Sequence, residues 1–144
     1  MKIVSALFAL IMVILTINVK GQDSESIKDL INKSYVEAIH NNGDLNDARK
    51  GFHPEFQMFA LRNGTLSKIS VNDWIQHIEN GRKRNQNTAS QKAGAKYLSI
   101  DVTKNVASVK LELYRGSKIL FTDYLYLYKF GNDWKIVSKV YQAY

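Results

Sequence analysis

Phe121-Thr-Asp-Tyr-Leu-Tyr-Leu-Tyr128 alternates two sets of side chains with a period of two. It passes through Lys129-Phe-Gly-Asn-Asp133 and resumes as Trp134-Lys-Ile-Val-Ser-Lys-Val140. This reads as two long strands joined at a Gly-Asn-Asp turn. Phe121, Asp123, Leu125 and Leu127 share one strand face; Tyr124, Tyr126 and Tyr128 share the other. A carboxyl on the apolar face must be paired, protonated or open to a cavity. Asp123 is therefore the leading candidate for a functional group.

Working outward, the same period holds from Ala89 to the end. Strands fit 93–103, 106–114, 118–130 and 134–142, with turns at Lys104-Asn105, Arg115-Gly-Ser117 and Gly131-Asn-Asp133. Upstream the period changes. Ile27, Leu30, Ile31, Tyr35 and Ala38 fall on one helical face within 25–41. Asp44 caps a short second helix that His53-Pro54 closes. Residues 56–61 and 66–69 read as a small hairpin around Arg62-Asn-Gly-Thr65. Ser70 and Asp73 form a capping box for a third helix over 71–80, and 81–87 reads as a polar loop. Helices followed by strands predict an α+β fold. The expected form is a cone-shaped, curved antiparallel sheet with three N-terminal helices on its concave face.

Residues 1–21 differ in composition. Lys2 precedes an apolar run of about 17 residues, near the lower limit for spanning a bilayer, and Val19-Lys-Gly21 resembles a cleavage site. The reading is a signal peptide over 1–21 and one domain over 22–144. A secreted or periplasmic, bacterial location follows, with no stable membrane insertion after cleavage. Losing Lys2 and Lys20 would lower the formal charge from +7 to +5. Arg82-Lys83-Arg84 is not interleaved with aromatics, so nucleic acid is not an expected partner. The chain has no Cys, which excludes disulfides and thiolate chemistry. His40, His53 and His77 lack metal-ligand spacing, so neither metal nor cofactor is expected.

Several of these residues carry a family resemblance: Tyr35, Gly43-Asp-Leu45, Phe52-His-Pro-Glu55, Phe121-Thr-Asp-Tyr-Leu125, and Gly131-Asn-Asp-Trp-Lys-Ile-Val137 followed by Lys139. The pattern resembles the nuclear transport factor 2-like superfamily (the SnoaL-like, ketosteroid isomerase-like fold), and within it the lumazine-binding branch. The resemblance implies a cone-shaped fold, often dimeric through the sheet. It also implies an oxyanion-hole tyrosine near Tyr35 and an acid near Asp123. The isomerase's general base would fall near Phe59 or Ala60, neither of which can take a proton, and this counts against isomerase chemistry.

The expected function is small-molecule binding. Tyr35, His53 and Asp123 would orient an apolar or aromatic ligand, with Phe59 and Trp74 as walls. One alternative is a dehydratase, cyclase or isomerase with His53 as base and Asp123 with Tyr35 as electrophilic pair. A second is a non-catalytic structural dimer. Tyr124, Tyr126 and Tyr128 are the expected homodimer face.

Overall fold

The computed structural model describes residues 21–84 and 91–144. Apart from Gly21, the expected signal peptide lies outside the described residues. The first helix, α1, is α-helical over 21–31 and continues as a π-helix over Asn32–His40. Helix α2 is Leu45–Gly51 and α3 is Val71–Arg84. The strands are β1 Phe52–Arg62, β2 Thr65–Ser70, β3 Ala93–Thr103, β4 Val106–Arg115, β5 Lys118–Phe130 and β6 Asp133–Ala143.

Local chemistry places these boundaries. Asp44 accepts from the Asn46 backbone N–H at 2.9 Å, capping α2. Ser70 receives the Asp73 N–H and donates to the Asp73 carboxylate at 2.6 Å, which starts α3. Asn63 and Gly64 both have positive φ, as a tight hairpin turn requires. Two expected boundaries move. Helix α2 ends at Gly51, so His53 and Pro54 begin β1 instead of closing a helix. Helix α3 extends to Arg84, so 81–84 is not loop. There Arg82 donates to the carbonyls of Ala38 and Gly43, binding α3 to the end of α1.

The six strands form one sheet in the order β2-β1-β6-β5-β4-β3. All pairings are antiparallel except β1 with β6, which is parallel, so the expected antiparallel sheet is mixed. Register shifts interrupt the β1–β6, β3–β4, β4–β5 and β5–β6 pairings. Each bulge bends its strand and increases local twist, and together they curve the sheet around the helices.

The core lies between helices and sheet. It joins Ile27, Ile31 and Tyr35 of α1 to Leu111, Leu113, Leu125, Leu127 and Ile136 of the sheet. The helices approach closely because Gly51 has no side chain. A Cβ there would lie 2.0 Å from Ser34 Oγ. At the start of the domain, Asp23 accepts from Lys129 Nζ at 2.6 Å and Trp134 Nε1 at 3.2 Å, fastening α1 to the β5–β6 hairpin.

Candidate functional site

Asp123 is completely buried on β5. It accepts a hydrogen bond from Tyr35 Oη at 2.7 Å through Oδ2. Lys139 Nζ lies 2.9 Å from its other oxygen, Oδ1, as an ion pair off the hydrogen-bonding direction. Lys139 also donates to the Tyr35 hydroxyl, closing a buried triangle. Of the three solutions open to a carboxyl on this face, the structure uses pairing, and the acid accepts rather than donates.

Lys139 reaches this position through a backbone irregularity. Ile136 pairs with Leu127 and Ser138 with Tyr126, leaving Val137 as an extra residue. Ile136 faces inward. Strict alternation from it would turn Ser138 and Val140 inward and Lys139 outward. The bulge reverses this, burying Lys139 and leaving Val140 exposed. The ammonium then lies among four rings, with centroids at 4.4 Å (Tyr35), 5.0 Å (Tyr141), 5.5 Å (Trp74) and 5.5 Å (Phe121). Contact with ring faces offsets part of the desolvation of a buried cation. Burial nevertheless pushes the Lys139 ammonium below the ordinary lysine range, and Asp123 only partly opposes this. Burial, then the Asp123 charge, drives the Tyr35 hydroxyl well above its usual value.

Of this triangle, Lys139 reaches a cleft of about 450 Å³, with Tyr35 and Asp123 fully buried behind it. The cleft is lined by Lys139, Trp74, Phe121, Tyr141, Met58 and Ile69, with His40, Asp73, His77 and Arg62 as its other polar residues. That volume is within the range that holds small organic ligands.

His40 was not anticipated as a site residue. In an α-helix, residues five apart lie about 140° around the axis from one another. The π-helix bonds residue i to i+5, so Tyr35 and His40 share a face. Their rings meet edge to face at 4.8 Å. Burial, then the charges of Lys139 and Arg115, lowers the His40 pKa to about 3. Its imidazole is neutral at physiological pH, and its buried Nε2 has no partner among the described residues. It suits hydrogen bonding to a ligand better than proton abstraction.

The structure thus brings together Tyr35, Asp123 and Trp74 of the expected set and adds Lys139 and His40. It does not bring in His53 or Phe59. His53 Nδ1 accepts from the Glu55 N–H at 3.1 Å, and its ring stacks on Phe130 at 4.8 Å, away from the cleft. On β1 the buried positions Phe56, Met58 and Ala60 alternate with Phe59, so Met58 lines the cleft in its place. The apolar alternation Phe56, Met58, Ala60 within the expected strand 56–61 is the sequence signal that sets Phe59 on the other face.

A curved sheet cupping three helices over a polar-floored cleft defines a nuclear transport factor 2-like fold. The chain matches over residues 22–142 the family described as "Putative lumazine-binding", and it belongs to that family. Among solved structures, it resembles an NTF2-like protein of unknown function from Silicibacter pomeroyi (21% identity, TM-score 0.71). That match covers 87% of this chain and 98% of the other. It also resembles one from Shewanella baltica, with 22% identity, TM-score 0.68 and coverage of 85% and 94%. A curated relative, "Aldolase FrzH" of Cladobotryum sp, is 28% identical over 111 residues. That alignment covers 76% of this chain and 83% of the relative.

Proposed function

We propose that this is an exported small-molecule-binding domain that holds an apolar or aromatic ligand in the cleft, its polar end against Lys139, which Tyr35 and Asp123 hold from behind. The observation carrying this reading is a buried ion pair whose lysine forms the floor of an aromatic-walled cleft. Stability alone does not account for such a pair, since apolar replacements of similar volume are often neutral or stabilising. The floor presents an ammonium to a ligand oxygen, and the rings of Trp74, Phe121 and Tyr141 offer stacking surfaces. A flat heterocycle with carbonyl groups, as in the lumazines named by the family, has matching chemistry.

A thermal-shift screen of such heterocycles and of aromatic carbonyl compounds tests this. A ligand at a hundredfold its Kd should stabilise the fold by about 2.7 kcal/mol. It should also quench Trp74 fluorescence in a Trp134→Phe background. If no compound moves either signal, the binding reading fails.

A second reading is an enzyme acting at carbonyl carbon, favoured by the aldolase-named relative and by an amine, a phenol and a carboxylate within contact. His53 is not its base, because it faces Phe130.

The same proposal includes cleavage before Gln22 and a homodimer. The outer face of β5 exposes Tyr124, Tyr126, Tyr128 and Phe130 at 43–49%. Such an aromatic row suits burial against a second copy. The exported chain should have the intact mass of residues 22–144 and sediment as a dimer, and Tyr126→Glu should yield monomer. A wild-type monomer retaining residues 1–21 would refute both parts.

A further inference from the structure

We propose that Lys139 condenses with a carbonyl group bound in the cleft to form a protonated Schiff base, which makes aldehydes or ketones on an aromatic or apolar body the ligand class. This rests on the cleft being a ligand site.

The geometry supplies what the reaction needs. Lys139 Nζ is the cation at the cleft floor, enclosed by aromatic rings that exclude water and offer stacking for the ligand body. Asp123 and Tyr35 contact it directly and can receive and return its proton. The ammonium passes one proton to Asp123. The free amine then adds to the carbonyl carbon, forming the C–N bond as the carbonyl oxygen takes up a proton. Asp123 then returns its proton, by way of Tyr35 or directly, to the carbinolamine hydroxyl, and the C–O bond breaks to leave the iminium and water. The net change is ammonium plus carbonyl to protonated imine plus water, so no outside oxidant or reductant is required.

The product carries the same single positive charge as the starting ammonium. Asp123 remains its counter-ion, so condensation adds no unpaired charge to the interior. Burial also favours the free amine. For each unit a lysine pKa falls, its neutral fraction at pH 7 rises about tenfold.

The test uses benzaldehyde as probe, with cyanoborohydride added to deliver hydride to the iminium carbon and fix the adduct. Intact mass and peptide mapping should show one benzyl group on Lys139, acquired at least about tenfold faster than on exposed lysines. Lys139→Arg keeps the charge but cannot form the imine, and should lose the fast adduct while remaining folded. A Lys139→Met/Asp123→Leu double variant removes the pair together and should lose it too. Benzyl alcohol, which has no carbonyl to condense, reports occupancy of the cleft separately through Trp74 quenching in the Trp134→Phe background. Quenching without a Lys139 adduct overturns the Schiff-base proposal and leaves the binding reading standing. If there is neither quenching nor adduct, both fall. Labelling of Lys139 no faster than that of surface lysines also overturns the proposal.

Discussion

Asp123→Asn should destabilise the fold by about 3–5 kcal/mol, read as a lower denaturant midpoint at constant slope. Among the described residues, Asp123 supplies the one carboxylate ion-paired with Lys139, which is itself 3% exposed. Removing it leaves an ammonium enclosed by rings and one hydroxyl, and ring faces do not replace a counter-ion. The loss should depend on pH. Lys139 already has a folded pKa below the ordinary lysine value of 10.5, because burial disfavours its charge. A depressed lysine binds fewer protons folded than unfolded, so its stability contribution is present above the unfolded pKa and is lost as pH falls. Without Asp123, the one influence raising that pKa disappears, so the deficit of the variant should shrink as pH rises toward 10.5. A double Asp123→Leu/Lys139→Met variant should recover most of the lost stability, because it deletes the desolvated charges together. An unchanged midpoint in Asp123→Asn would mean the ion pair does not hold this part of the fold.

Acid should destabilise the protein well above the range where carboxylates protonate, and His40 should be the main cause. Its folded pKa is about 3, against an ordinary value of 6.5, through burial and the charges of Lys139 and Arg115. Between these values the unfolded chain takes up a proton that the folded chain refuses. Stability is therefore complete above pH 6.5 and falls as pH drops toward 3. The loss from this one residue should be about 3 kcal/mol at pH 4. His40→Phe keeps an aromatic ring against Tyr35 and Phe121 but cannot titrate. Its stability between pH 7 and 4 should fall less than that of the wild type by about that amount. Parallel pH profiles for the two proteins would show that His40 is not held neutral.

Local pattern carried most of the architecture. The strands expected over 93–103, 106–114, 118–130 and 134–142 match β3 to β6 to within a residue at each end. Alternation reports directly which side chains a half-buried strand must hide. Asp44, Ser70 with Asp73, and Asn63-Gly64 mark their boundaries because capping and turn chemistry act within a few residues. Tyr35, Trp74 and Asp123 stood out because each is polar or amphipathic on an otherwise apolar face.

His53 lies away from the cleft because α2 stops at Gly51 and His53 belongs to β1 instead of closing a helix. Phe59 does not line it because the buried face of β1 runs through Phe56, Met58 and Ala60. Lys139 and His40 depend on two departures from regular geometry. A single extra residue at Val137 reverses the strand's facing, and π-helical winding aligns Tyr35 with a residue five positions on. The one-dimensional pattern thus determined the elements and the face bearing Asp123. Only the tertiary structure decided what Asp123 touches, since strand pairing and helix winding bring its partners from 88 residues before it and 16 after.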